Sequence, residues 1–348
     1  MRIKFVSKTP PDDIEKLWAP LLQAANLPAS LSVTFDADAR DYDFLIVYED
    51  LPPRFGETKI YRSERLACAK ANTMLITTEP ASIRIDGPAY VQQFGVIWTS
   101  KPPQFTPGVR RISSPPPLRF FYGRNLGGGP HRTPGGPFPE KTHDLSAMCS
   151  KKAMDHTLHR RRLDFIEAIK TRLGDQLHLF GRGFHPVDDK AEAMDSFRYH
   201  IAIENHQQNG HITEKLTDCF LAGCLPFYFG APNYADYFPE RSVIPIDIMD
   251  IEGSENTIRN AIKNNAFMKR LDAVKTARNI TLQDWNTVWT ACESAAQWYN
   301  PDATKGGIIH GRHAFRRVHP FKAIRDALFV TKARHSSAAK PFHFTKSD

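Results

Sequence analysis

The chain has 348 residues, 41% of them hydrophobic and 24% charged, with Lys and Arg exceeding Asp and Glu by 8. That length suits about two domains and supplies enough apolar material for two cores. The basic excess favours anionic partners, but it is dispersed apart from Arg160, Arg161 and Arg162, unlike the concentrated charge of a nucleic-acid domain. The five cysteines (Cys68, Cys149, Cys219, Cys224 and Cys292) are odd in number and include no CxxC pair, so they read as buried free thiols, with neither a disulfide framework nor a zinc site. The N-terminal stretch has no apolar run long enough for a signal peptide or membrane helix, which predicts a cytoplasmic protein and leaves loose membrane attachment open.

In chain order, Ile3 to Val6 alternates like a first strand, and Asp13 to Ala25 reads as an amphipathic helix. Phe44 to Tyr48 is a continuous apolar run, the mark of a strand covered on both faces. Strands at Thr73 to Thr78 and Val96 to Trp98, with a short helix at Tyr90 to Phe94, complete an α/β pattern over residues 1–100. Residues 101–142 change texture: the 40 residues from Lys101 to Glu140 hold 10 Pro and 7 Gly, including Gly127, Gly128 and Gly129. That composition predicts an interdomain connection of long loops.

A second α/β unit is expected over residues 143–330. Strands are predicted at Leu145 to Cys149, Leu177 to Phe180, Phe197 to Asn205 and Leu225 to Phe229. Helices are predicted at Leu158 to Leu173, Ala191 to Phe197 and Thr213 to Ala222, with more to about Asn300. The polar, basic tail over residues 331–348 predicts disorder.

The segment from Tyr199 to Asp236 carries the chemistry. It lays out as strand, loop, helix, strand, loop, and ligands of open α/β sheets bind beyond the carboxyl ends of the strands. Glu204, Asn205 and Thr213 to Lys215 should share that edge. Thr213 is placed to cap the helix and Gly223 to end it. Lys215 then lies in the first turn, where the helix dipole disfavours a cation by a few tenths to about 1 kcal/mol. An anion bound at that helix end would reverse the sign. A solvated surface lysine is the alternative.

Glu204-Asn205, Thr213-Glu214-Lys215, Gly223-Cys224-Leu225-Pro226 and Gly230-Ala231-Pro232-Asn233-Tyr234 together resemble the donor-site signature of glycosyltransferase family 10, the α-1,3/1,4-fucosyltransferases. The likeness spans about 40 residues in order and spacing. The resemblance implies a GT-B-like α/β architecture of two Rossmann-like domains facing across a cleft, with an acceptor-side domain first and a donor domain second. It also implies GDP-fucose as donor, a glycan acceptor and inversion at the transferred carbon. By that resemblance Glu214 binds the ribose and Lys215 the phosphates. Arg182, in Gly181-Arg182-Gly183 after a strand, is the candidate for the pyrophosphate, and Arg162 is the second choice. His211 stands where family members usually carry Tyr, near the donor sugar, which admits another nucleotide sugar.

Lys215, Arg182 and helix-end amides can stabilise a departing diphosphate without metal, and no acidic pair is obviously placed to hold one. No cofactor is expected. A base from the first domain is required, and Glu79, in Thr77-Thr78-Glu79-Pro80 at a strand exit, is the candidate. Trp98, Phe120, Phe121 and Tyr122 are candidates to stack on an acceptor sugar. Two competing readings are a transferase of the same fold for another sugar, and a non-catalytic basic module for nucleic acid or anionic lipid, with steep salt dependence. The first reading expects no nucleic-acid partner.

Overall fold

A computed structural model describes residues 1–9, 14–25, 27–123, 135–151 and 157–340. The triple glycine at 127–129, Asp13 and residues 341–348 lie outside these. The described chain divides into two compact units, one of Met1–Pro116 with Thr287–Lys340 and one running from Pro117 to Asn286. Both are α/β with a parallel sheet, as the alternation of strand and helix patterns predicts.

The first unit begins with β1 (Arg2–Ser7), α1 (Ile14–Ala24), β2 (Ser32–Thr34), β3 (Phe44–Tyr48), β4 (Ser63–Arg65), β5 (Thr73–Thr77), α2 (Pro88–Val91), β6 (Val96–Thr99) and β7 (Arg111–Ile112). Its parallel sheet has the order β2-β1-β3-β5-β6-β7. Every residue of β3 and β5 is buried, which is why those strands read as unbroken runs without alternation. Trp18 of α1 packs on Phe5 with ring centroids 4.7 Å apart, and its indole N–H donates to Ser7 Oγ at 3.2 Å. The alternation in β1 does not mark a wet face. Lys4 is 1% exposed, and its ammonium lies 2.8 Å from Glu64, which also accepts from the Tyr42 hydroxyl at 2.9 Å.

The second unit holds β8 (His143–Met148), α3 (His159–Leu173), β9 (Leu177–Phe180), β10 (Phe197–Ile203), α4 (Glu214–Ala222), β11 (Leu225–Phe229), β12 (Ile244–Pro245), α5 (Ile251–Lys263) and α6 (Ala266–Leu282). Its strands are all parallel in the order β12-β11-β10-β8-β9. Leu145, Tyr199, Ile201, Leu225 and Phe227 meet Phe165, Ile166 and Ile169 of α3 in one buried core. α4 ends at Gly223 in the left-handed conformation (φ 74°), and a Cβ there would come within 2.7 Å of the Phe138 ring. The expected helix at Ala191 to Phe197 is only a 3₁₀ turn, Lys190–Ala193, because the chain must extend again at Phe197 to pair with β8.

The boundaries depart from expectation. The chain returns to the first unit through α7 (Thr287–Trp298), β13 (Ile308–His310), α8 (Arg312–Val318) and α9 (Pro320–Arg334). The expected donor domain over 143–330 therefore stops at Asn286. The reason is burial: Val288, Ala291, Cys292 and Ala295 of α7 are fully covered, with α7 packed on α1 and β3. β13 pairs antiparallel with β4, and Asp326 of α9 accepts from the Ala89 and Tyr90 amides at 2.8 and 3.0 Å, capping α2. Gly87 is required beside it, since a Cβ would meet that carboxylate at 2.2 Å. The expected connection over 101–142 is also divided. It carries β7 and the buried Phe105 in the first unit, then the buried Phe120 and Tyr122 in the second. The disorder expected from residue 331 is contradicted as far as Lys340. α9 runs to Arg334, and Ala339 packs with Ala81, Ile85 and Phe105. All five cysteines are buried and free, as expected.

Candidate functional site

In the second unit the carboxyl ends of β8, β9 and β10 and the first turn of α4 surround a pocket of about 530 Å³. Its lining includes Cys149, Arg162, Gly181, Arg182, Lys190, His200, Glu214 and Lys215. Two close approaches build it. Gly181, at φ 112°, passes so near the β8 exit that a Cβ would lie 2.1 Å from the Cys149 carbonyl oxygen, so only glycine fits. Thr213, the N-cap of α4, accepts from the Lys215 amide at 3.3 Å.

Glu204 is fully buried and does not line the pocket. Its carboxylate accepts from the Thr213 amide at 2.9 Å and the Thr213 hydroxyl at 2.8 Å, and lies 3.4 Å from the Lys215 ammonium. Burial raises its pKa, and Lys215 opposes that. Glu204 therefore buttresses the start of α4. Asn205 is likewise a support: its side-chain oxygen accepts from the Arg162 guanidinium at 2.7 Å. His211 is 4% exposed, packs edge-to-face on His206 at 5.8 Å, and is not among the pocket lining.

Glu214 and Lys215 do reach the pocket, 3.2 Å from each other. Burial would lower the Lys215 pKa, but the carboxylates of Glu214 and Glu204 outweigh it and hold it at about 12. The cation at a helix N-terminus thus already has counter-charges within the protein, and its position alone does not demand a bound anion. Burial works against ionisation of Glu214, yet Lys215 and Lys190 overcome it and keep the carboxyl well below its usual range.

The unmatched charge lies with the arginines. Among the described residues neither Arg162 nor Arg182 is in an ion pair. Arg162, in the first turn of α3, is 7% exposed, and its Nε is buried without a hydrogen-bond partner. Arg182 follows β9 and is exposed. Sequence reasoning ranked Arg182 first, and the geometry gives Arg162 the more constrained position.

Lys190 and His200 are lining residues that the sequence did not flag. Lys190 lies 2.7 Å from Asp218 and 3.5 Å from Glu214, with its ammonium over the Phe121 ring. It opens a 3₁₀ turn capped by Asp189, a short polar run with no periodicity to flag it. His200 bonds Ser146 Oγ through Nδ1 at 2.8 Å, and burial, with Lys190 and Lys141 nearby, drives its pKa down to about 3. Its imidazole is neutral at ordinary pH.

The first unit has its own charged edge. Glu79 is half-buried two residues beyond β5, with no ion-pair partner among the described residues. Beside it Glu49, just past β3, takes φ 75° and is 1% exposed. Its carboxylate accepts from the Thr78 amide and hydroxyl and pairs with Arg84 and Lys8. Although burial opposes it, these cations and bonds keep Glu49 ionised below the usual carboxyl range. A strained, buried acid that grips the residue before Glu79 is the sort of feature concentrated at working sites. Asp86 extends the network to Lys101 at 3.3 Å and Arg312 at 3.1 Å. The aromatic acceptor candidates are mostly structural. Trp98, Phe120 and Tyr122 are buried, with the Tyr122 hydroxyl bonded to Asp195 at 2.7 Å, while Phe121 stacks under Arg119 and Lys190.

Comparison with known proteins meets this geometry over the second unit and the start of the returning segment. Residues 138–297 match the family model described as glycosyltransferase family 10 (fucosyltransferase) C-term. The chain is 30% identical over 60 residues to an alpha-(1,3)-fucosyltransferase of Helicobacter pylori, covering 17% of this chain and 13% of that one. It is 42% identical over 52 residues to an alpha-(1,4)-fucosyltransferase of Arabidopsis thaliana, covering 15% and 13%. It is 32% identical over 77 residues to the human 4-galactosyl-N-acetylglucosaminide 3-alpha-L-fucosyltransferase 9, covering 21% of each. The matched stretches thus span only 13% to 21% of these relatives' lengths. Among solved structures, alpha1,3-fucosyltransferase with GDP-fucose aligns over 87% of this chain and 91% of that one, with 14% identity and a TM-score of 0.48. The pocket-bearing segment of the chain, residues 138–297, thus matches glycosyltransferase family 10.

Proposed function

We propose that the chain is an inverting fucosyltransferase that moves fucose from GDP-fucose to a hydroxyl of a glycan. The observation that carries this reading is the pair of guanidiniums, Arg162 and Arg182, which line one pocket and are in no ion pair among the described residues. A diphosphate is the ligand that such a pair fits, because planar forked donors take phosphate oxygens two at a time. Lys215 and the positive end of the α4 dipole add to the same field. Glu214, kept ionised on the pocket wall, is the acceptor for the ribose hydroxyls. As the bond to the sugar breaks, negative charge grows on the departing diphosphate, and the preorganised cations stabilise it there. Glu79 takes the proton from the acceptor hydroxyl, held in place by the grip of Glu49 on Thr78. The charge balance comes from side chains, so the reading does not call on a metal.

Isothermal titration with GDP-, UDP- and CDP-sugars tests the reading. GDP-fucose is expected to bind most tightly, with GDP-mannose as the competitor. Absence of binding to every nucleotide sugar would overturn the proposal.

A further inference from the structure

Several large apolar side chains that the first unit leaves in solvent lie on one helix. Phe321 is 82% exposed, Leu328 67% and Ile324 58%. Their spacing of three and four residues puts them in one stripe along α9. The opposite side of α9 is already occupied: Asp326 is bonded to the α2 amides, and Phe329, Val330 and Ala333 pack on Ala81, Ile85 and Phe105. The outward stripe therefore contributes nothing to holding the helix in place.

Charge sorts the same way. From Gly311 to Lys340 the sole acid is Asp326, and it is turned inward. Arg312 also points inward, to Asp50 and Asp86. Every other charged side chain there is basic and exposed: Arg316, Arg317, Lys322, Arg325, Lys332, Arg334 and Lys340. None of them is in an ion pair among the described residues. Beside the helix runs a groove of about 550 Å³ whose lining includes Lys70, His319, Lys322 and Arg325 along with the bonded Asp326.

We propose that the outer face of α9, with the end of α8, is a docking surface for an anionic lipid bilayer. An apolar stripe rimmed by Lys and Arg buries its side chains at the acyl boundary while the cations meet the headgroups. A second copy of the chain fits the face less well, because the two basic rims would repel. The proposal does not depend on the donor reading, since none of these residues lines the pocket of the second unit.

The test uses the full chain and sedimentation with vesicles. Binding is expected to vesicles of phosphatidylcholine mixed with phosphatidylglycerol and not to phosphatidylcholine alone, and it should weaken as salt rises. The double variant Phe321→Ser, Leu328→Ser and the double variant Lys322→Glu, Arg325→Glu should each bind about tenfold more weakly or worse. Their thermal midpoints should stay unchanged, because the altered side chains are exposed. No binding of the unaltered chain, equal binding to neutral vesicles, or variants that bind as well as the parent would each overturn the proposal. So would a lipid-free dimer, seen by ultracentrifugation, that Phe321→Ser, Leu328→Ser abolishes; that result would assign the face to a second copy.

Discussion

Arg162 and Arg182 line one pocket under different constraint, and that difference sets what their loss should do. Arg162 is buried and oriented by Asn205, so its fork is preorganised. Arg182 is exposed and must be ordered by its ligand. Arg162→Ala should weaken GDP-fucose binding by about ten- to a hundredfold, the range for a hydrogen bond to a charged group, and Arg182→Ala by less. Calorimetry on both variants checks the order, and equal losses would argue against preorganisation. Glu79→Gln should lower turnover by roughly 10²–10⁴-fold with donor affinity kept, as removal of a general base would. Near-normal transfer by a folded Glu79→Gln protein would eliminate that role. The sequence exposed Glu214 and Lys215 because they begin a helix that follows a strand. It could not separate Glu204 from them, since a buried buttress and a ligand use the same residue type. Nothing local marks Glu49 either. Its importance comes from a backbone angle and from partners 29 and 35 residues away.

At the scale of elements, the stretch from β10 through α4 to β11 was readable because β10 sets Tyr199, Ile201 and Ile203 on one face, β11 is an apolar run and the helix has a cap at each end. Thr213 has a second duty there. Its hydroxyl caps α4 and also donates to the buried Glu204 carboxylate. Thr213→Ala should therefore cost more than an ordinary cap, about 2–3 kcal/mol, since it also strips a partner from a buried acid. Urea unfolding of the variant measures this, and a loss under about 1 kcal/mol would mean that Lys215 and the Thr213 amide suffice. The elements that escaped prediction are short or distant. β7 and β12 have two residues each, too few for any period to show, and β13 is recognisable only through its pairing with β4. α9 was hidden because it is apolar on two sides, so its pattern lacks the single stripe of an ordinary surface helix.

Across the whole molecule, the chain leaves the first unit at Pro116 and re-enters it at Thr287. No local signal in the sequence announces that return; it follows from the fit of α7 against α1 and β3 and of Asp326 under α2. A chain ending at Asn286 should keep a folded second unit that binds GDP and unfolds cooperatively. Its first unit should lose protection from hydrogen exchange throughout β3 and β5, because it lacks α7 to α9. If those two strands stayed protected, the returning segment would be an appendage and not part of the core.

The same return inverts the order in which the protein can mature. Domains commonly fold as they emerge, the N-terminal one first. Here the second unit is complete on leaving the ribosome while the earlier-made sheet still waits for α7 to α9. During that interval β3, apolar on both faces, is uncovered on the side α7 will occupy. Nascent chains of this protein should therefore lean on chaperones until α9 has been made, and a stall shortly after Asn286 should be more harmful than one near Pro116.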